Sequence, residues 1–198
     1  MTTTLNVEAY DSNVRHWLRL CTEEDIRAGR DWYWQAQQLV SAIASDTHVG
    51  IPVVAAVVAC LSPSVDWPTN VADAHAFCRA YAQGRTDAPS ASGYPANRAQ
   101  AWRILQAQDP AILTGPKRTA FASNLQGNLH VVTVDRWAVR AATLYARERV
   151  NTPKQYKAIA DAYSQVAAAN GLSPAVLQAI VWVCIKRLSD GRRGGEPF

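Results

Sequence analysis

Leu113-Thr114-Gly115-Pro116-Lys117-Arg118-Thr119-Ala120 is the stretch on which the reading of this chain turns. An apolar residue leads into a tight turn containing glycine, and Pro at a first helical position opens a helix whose first turn carries two cations. Glycine lets backbone approach a phosphate closely, and a helix start offers N–H groups that lack intrahelical partners. The segment therefore predicts an anion seat, with Gly115, Pro116, Lys117, Arg118 and Thr119 as its contacts. Eighteen residues beyond Lys117 stands Asp135, inside Val132-Thr133-Val134-Asp135-Arg136-Trp137-Ala138-Val139-Arg140. This second stretch reads as an extended approach that ends in an Asp at a helix start, with Arg136 and Arg140 as further cations.

The surrounding composition suits a polyanion. The chain of 198 residues has a formal charge of +4, but residues 98–157 hold ten Lys/Arg against three acids, a net +7 that leaves −3 for the remainder. A middle segment so basic fits nucleic acid, and equally fits a solvated helix face rich in Arg. Hydrophobic residues make up 48%, and no run approaches the roughly 18 apolar residues of a membrane span. The first residues have no basic-then-apolar leader pattern, so a cytoplasmic protein is expected. Cys21, Cys60, Cys78 and Cys184 are far apart and lack metal-site spacing, which predicts reduced core thiols and no metal.

Helical signals follow one another with short connectors, which predicts an all-α chain of roughly nine helices. The first spans about residues 7–20 and the second about 23–45, with Trp32, Ala36, Leu39 and Ile43 on its inner face. PVVAAVVACLS, apolar all round, predicts a helix at the centre of the fold. Another helix starts near Pro68 and stops at Gly84, and residues 85–97 form a long surface connector. Helix returns at about 97–108, restarts near Pro116, and after the extended QGNLHVVTV opens again at Asp135 to run to about Arg149. Thr152-Pro153 and Ser173-Pro174 open two final helices, and GRRGGEPF is expected to be a mobile tail.

Taken together, the hairpin and the spaced Asp resemble the helix-hairpin-helix DNA glycosylases (the HhH-GPD superfamily). That family carries L-P-G-V-G-x-K-T-A, then about eighteen residues on V-D-T-H-V-x-R with an essential Asp. The likeness runs in order through about residues 50–145, and Arg98-Ala99 falls where the family has a K-A pair. This hairpin lacks the family's Pro before Gly and has one Gly in place of two. LSPSVDWPTNVADA, TGPKRTAFASNL, VTVDRWAVRA and QAIVW are similar to the phage-associated branch described as α-glutamyl/putrescinyl thymine pyrophosphorylases, which act on hypermodified bases. Some members join an amino acid to an activated thymine, and others excise bulky bases as host defence.

The resemblance implies a two-lobed helical bundle, one lobe at about 46–135 and the other combining about 1–45 with 136–198. A cleft would hold the hairpin on one rim and Asp135 at its floor. It implies a monomer acting on double-stranded DNA, with the nucleotide flipped and Asp135 assisting cleavage of the base–sugar bond. No cofactor is implied, since the iron–sulfur cluster of some relatives needs four closely spaced cysteines near the C-terminus and this chain has Cys184 alone there. Asp135 is also a favoured N-cap, and the two roles are compatible. Lys117 is either a nucleophile forming a Schiff base or a phosphate-binding residue. Matching T-A to Thr119-Ala120 would instead put Arg118 at the family's lysine position. Ser62, Ser64, Trp67, Asn70, Asn124, Trp137, Gln178 and Trp182 are candidate base-pocket residues, each with a cap, core or surface role as its alternative. An amino acid:DNA transferase and a non-catalytic DNA-binding module remain the rival functions.

Overall fold

A computed structural model describes residues 7–144, 150 and 152–192. Among the described residues there are nine α-helices, one short 3-10 turn and no strand. The helices are α1 (Val7–Leu20), α2 (Glu23–Thr47), α3 (Ile51–Leu61), α4 (Trp67–Ala82), α5 (Pro95–Ala107), α6 (Pro116–Leu125), α7 (Arg136–Thr143), α8 (Pro153–Ala169) and α9 (Pro174–Arg192), with the 3-10 turn at Pro110–Ile112. No single helix among them is long and apolar enough to cross a membrane. The chain divides into two compact units, one of residues 1–34 and 128–198 and one of residues 35–127. Both boundaries precede those expected at about 45 and 135, so the division falls within α2 and within QGNLHVVTV.

In the unit of residues 35–127, α3 is the centre. Val53 to Leu61 are all buried, and α4, α5, α6 and the 3-10 turn pack around that helix. Each fully buried Val or Leu contributes about 1.5–3 kcal/mol over its exposed state, so a helix without a polar face forms only when covered on every side. Proline sets the starts of the surrounding helices: Pro68, Pro95 and Pro116 each stand at N1 or N2. There an absent N–H costs no hydrogen bond. The connector ends sooner than expected because Pro95 already opens α5.

The other unit gathers α1, α7, α8 and α9 around Val14, Trp137, Ile159, Tyr163, Val166, Leu177 and Val181. Helix α7 is shorter than expected. Leu144 turns left-handed at φ 57° and ends it, while Asn13 donates to the Ala142 carbonyl at 2.7 Å and so satisfies one of its last acceptors. Arg147, Glu148 and Arg149 lie outside the described residues. The tail expected from Gly191 begins inside α9, and 193–198 lie outside the described residues.

The inner face of α2 differs from expectation. Tyr33, Ala36, Val40 and Ile43 are buried, whereas Leu39 is 40% exposed and Trp32 half-buried. The expected and the buried series share Ala36 and Ile43, and burial selects Tyr33 and Val40 over Trp32 and Leu39, keeping steps of three and four. Near its start, Asp25 is 2% exposed and forms a two-pronged ion pair with Arg187, at 2.9 Å to Nε and 2.7 Å to Nη2. The Arg187 hydrogen bonds hold the Asp25 carboxyl below the ordinary carboxylate range.

Gly29 sets how closely α2 approaches α9. A Cβ there would lie 2.6 Å from the Ile180 backbone nitrogen, and backbone cannot swing aside as a side chain can. Gly29→Ala should therefore lower stability by about 1–3 kcal/mol in urea unfolding, although alanine is otherwise the better helix former. An unchanged or higher midpoint would mean that the two helices do not meet there.

Candidate nucleic-acid interface

The hairpin lies in the unit of residues 35–127. Leu113 is buried, Gly115 takes φ 93° and ψ 131°, and Pro116 starts α6. That φ lies in the left-handed range that disfavours any side chain. Thr119 closes the turn, its N–H donating to the Gly115 carbonyl at 3.0 Å and its hydroxyl to the Gly115 and Pro116 carbonyls at 3.1 Å each.

The two hairpin cations sit differently. Arg118 turns back onto the protein: it donates to Gln100 Oε1 at 2.8 Å, Asn97 Oδ1 at 3.2 Å and Thr114 Oγ1 at 3.3 Å, and reaches Cys60 Sγ at 3.7 Å. Gln100 in turn donates to the Ile112 carbonyl at 2.8 Å. Arg118 thus ties α6 to α5, α3 and the turn through neutral acceptors, so its charge adds to the field at the hairpin while its donors fix the hairpin's shape. Lys117, one residue earlier, is half-buried. Arg98 ties the connector in a similar way, donating to the Ala91 and Gly93 carbonyls at 3.2 and 2.8 Å.

The residues predicted for a base pocket in this unit differ in burial and in partners. Ser62 donates to the Ala59 carbonyl at the end of α3, and Trp67 is half-buried with its ring edge-on to Phe121 at 6.3 Å. Ser64 is exposed, takes φ 65° and shares a 3.2 Å hydrogen bond with the Tyr94 hydroxyl. Asn124 is fully buried, and its backbone carbonyl accepts from Gln37 at 3.0 Å. Asn70 is 1% exposed, and neither its amide nitrogen nor its amide oxygen has a partner. An open groove in this unit is lined by Pro52, Ala56, Leu113, Thr119, Ser123 and Gln126 among others, and only Thr119 of the predicted site residues lines it.

Asp135 lies in the unit of residues 1–34 and 128–198. It caps α7: Oδ1 accepts from the Trp137 and Ala138 N–H groups at 3.0 and 2.8 Å. The approach to it is irregular, buried backbone without a neighbouring strand, so its polar groups need other partners. Asp135 N–H donates to the Thr133 carbonyl at 3.0 Å, which folds a three-residue turn around Val134. The Tyr156 hydroxyl accepts from Val134 N–H at 3.2 Å and donates to the Val132 carbonyl at 3.0 Å. A single side chain on α8 thereby holds the centre of the turn that delivers Asp135 and the residue that precedes it.

Three tyrosines share this environment. Burial pushes the hydroxyls of Tyr33, Tyr156 and Tyr163 above the ordinary range for tyrosine, and the negative charge of Asp135 adds to the rise in each. They stay neutral through the physiological range. Tyr33 donates to Gln178 Oε1 at 3.1 Å, and Gln178 is 5% exposed. The Tyr163 hydroxyl is buried without a partner. Sequence reasoning missed all three tyrosines. Their only local signal is an aromatic residue at a helical core spacing, which does not mark a polar contact 21 residues or more away in the chain.

Trp137 is 5% exposed, and two guanidiniums lie over its ring, Arg136 with Cζ at 5.4 Å from the centroid and Arg140 at 4.6 Å. Trp182 is half-buried, edge-on to Trp32 at 5.8 Å, with Lys186 Nζ 4.7 Å from its ring centroid.

No curated protein and no solved structure matches this chain. A family model does, over residues 1–189, and its members share no established activity. The chain belongs to that family, the family of unknown function DUF7178.

Proposed function

We propose that this chain is a DNA glycosylase-like enzyme of the two-lobed helix-hairpin-helix type, which flips a modified base out of duplex DNA and cleaves its N-glycosidic bond. The observation that carries the reading is Asp135: a half-buried carboxylate at a helix start, accepting from two N–H groups of α7 and standing on a turn that Tyr156 holds by two hydrogen bonds. Its other support is the hairpin, where Gly115, the start of α6, Lys117 and the charge of Arg118 create a place for a phosphate.

In the reaction, the bond between C1′ and the base nitrogen breaks and its electron pair leaves with the base. The sugar becomes cationic, and a carboxylate held by pre-set dipoles stabilises that charge without reorganising. Water then adds to C1′ and gives its proton to Asp135; the departed base anion takes up a proton, Asp135 releases its own, and an abasic sugar, a free base and the original carboxylate remain. Lys117, as a hairpin cation, grips the phosphate that sets the register of the strand.

Asp135→Asn tests the role of the charge. Asn caps helices as well as Asp does, so the fold and the affinity for DNA should hold while base release falls by about 10²–10⁴-fold. Tyr156→Phe should lower stability by about 1–3 kcal/mol, because Val134 N–H and the Val132 carbonyl lose their shared partner, and should reduce turnover less than Asp135→Asn does. Thermal melting and release of free base from modified duplex measure the two effects. A folded Asp135→Asn protein with near-normal turnover would reduce Asp135 to a helix cap.

A further inference from the structure

Cys21 stands in the short link between α1 and α2, and Cys184 lies on α9. Both are free thiols, far apart in the chain, yet they meet in one place. Cys21 Sγ lies 3.3 Å from the Trp17 carbonyl oxygen and 4.0 Å from that of Ile180, one helical turn before Cys184 on α9. The two sulfurs are within hydrogen-bond reach of each other. The other two thiols are placed differently: Cys60 sits against oxygens of Asn97 and Gln100 at 3.2 and 3.5 Å, and Cys78 is fully buried on α4.

The surroundings of Cys21 and Cys184 hold the pair in register. Arg187 Nη2 reaches Cys184 Sγ at 3.8 Å, the Leu20 carbonyl at 3.4 Å and Asp25 Oδ2 at 2.7 Å, so it ties the chain on both sides of Cys21 to α9. Thr22 N–H donates to Asp25 Oδ2 at 2.8 Å and Asp25 N–H donates to Thr22 Oγ1 at 3.1 Å, which fixes the link itself. Further along, the absent Cβ of Gly29 lets α2 lie against the Ile180 backbone. Sulfurs held together in this way can bond by side-chain rotation, without the backbone movement that bars most cysteine pairs. Access to the two is unequal. Cys21 is half-buried and Cys184 fully buried, so an oxidant in solution meets Cys21 first. Burial pushes both thiols above the ordinary range, and the Arg187 charge draws each back in part. Thiolate is therefore scarce, and the pair reacts slowly where a catalytic thiol would react at once.

We propose that Cys21 and Cys184 form an oxidative modification site, a dithiol that hydrogen peroxide closes into a reversible disulfide joining the α1–α2 link to α9. The Cys21 sulfur attacks one peroxide oxygen as its thiolate; the O–O bond breaks, the departing hydroxide takes up the thiol's proton and leaves as water, and Cys21 becomes a sulfenic acid. The Cys184 sulfur then attacks the Cys21 sulfur, the S–O bond breaks, and the second hydroxide takes the Cys184 proton and leaves as water. The two thiols together lose two electrons and two protons, and one hydrogen peroxide becomes two waters. A thiol reductant restores the pair by exchange, so in a reducing compartment the bond is transient. It closes a loop through most of the chain and so stabilises the fold chiefly by restricting the unfolded state. The modification is independent of the reaction at Asp135.

The test treats the folded, fully reduced full-length chain with millimolar hydrogen peroxide for several hours. The protein is then unfolded in the presence of an alkylating agent, digested, and mapped by mass spectrometry without reductant. The expected product is a peptide pair joined through Cys21 and Cys184 of one molecule, with Cys60 and Cys78 alkylated. The oxidised protein should melt about 5–10 °C higher, and dithiothreitol should return it to its starting value. Cys184→Ala should stop the reaction at a Cys21 sulfenic acid, which dimedone labels, and should show no gain in melting temperature on oxidation. If that variant does not fold, the map of the unaltered protein decides alone. A Cys21 labelled by dimedone or further oxidised in the unaltered protein, beside an alkylated Cys184, would overturn the proposal. So would a link through Cys60 or Cys78, a link between two molecules, or four alkylated thiols after treatment. A Cys21–Cys184 link with no gain in melting temperature would overturn the stabilising role and support the modification site.

Discussion

One hydroxyl carries the constraint on which the candidate site depends. The chain between α6 and α7 turns inward just before Asp135 as irregular backbone, with Val132, Thr133 and Val134 all buried. Buried backbone must find hydrogen-bond partners, and leaving a buried donor or acceptor unmatched costs about 1–3 kcal/mol. Tyr156 supplies partners for a donor and an acceptor at once, on Val134 and Val132, and the Thr133 carbonyl supplies a third for Asp135 N–H. With those bonds in place, α7 has a single starting direction, Asp135 caps it, and Trp137 falls into the core one step later. The carboxylate, its helix and the arginines over Trp137 are thus consequences of one satisfied turn.

The cations show the same economy of placement. The net charge of +7 in residues 98–157 reads as a featureless basic stretch, yet its members differ in what they touch. Arg98 and Arg118 act through their donors on loop and hairpin oxygens, so they shape the surface on which Lys117 sits. Arg136 and Arg140 place their guanidinium carbons 5.4 and 4.6 Å from the Trp137 ring centroid, so the segment's charges are tied to oxygens at one end and to an aromatic ring at the other.

Much of the fold was legible in the chain, for identifiable reasons. Val53 to Leu61 have no polar face, and only a central helix accommodates that. Pro68, Pro116, Pro153 and Pro174 mark helix starts because their missing N–H is harmless there and nowhere else in a helix, whereas Pro95 read as part of the connector. Asp135 was legible as a cap from its place before an amphipathic turn. What was not legible is what depends on distance along the chain. Trp32 and Leu39 could be placed on the inner face of α2 as easily as Tyr33 and Val40, since both series have helical spacing and only packing separates them. The inward turn of Arg118 depends on Asn97 and Gln100 from another helix, and the Tyr156 bridge on a residue 21 positions beyond Asp135. No local pattern encodes either.

The central claim is that the protein breaks a bond between base and sugar in DNA. Mass spectrometry of the free bases and of the residual nucleosides, after incubation with duplex DNA carrying ordinary bases and with phage DNA carrying modified thymine or cytosine, addresses it without assumptions about any residue. The account predicts free modified base in solution and a matching loss of that nucleoside from the DNA. A heavier nucleoside with no free base, or DNA left unchanged in both samples, would contradict it.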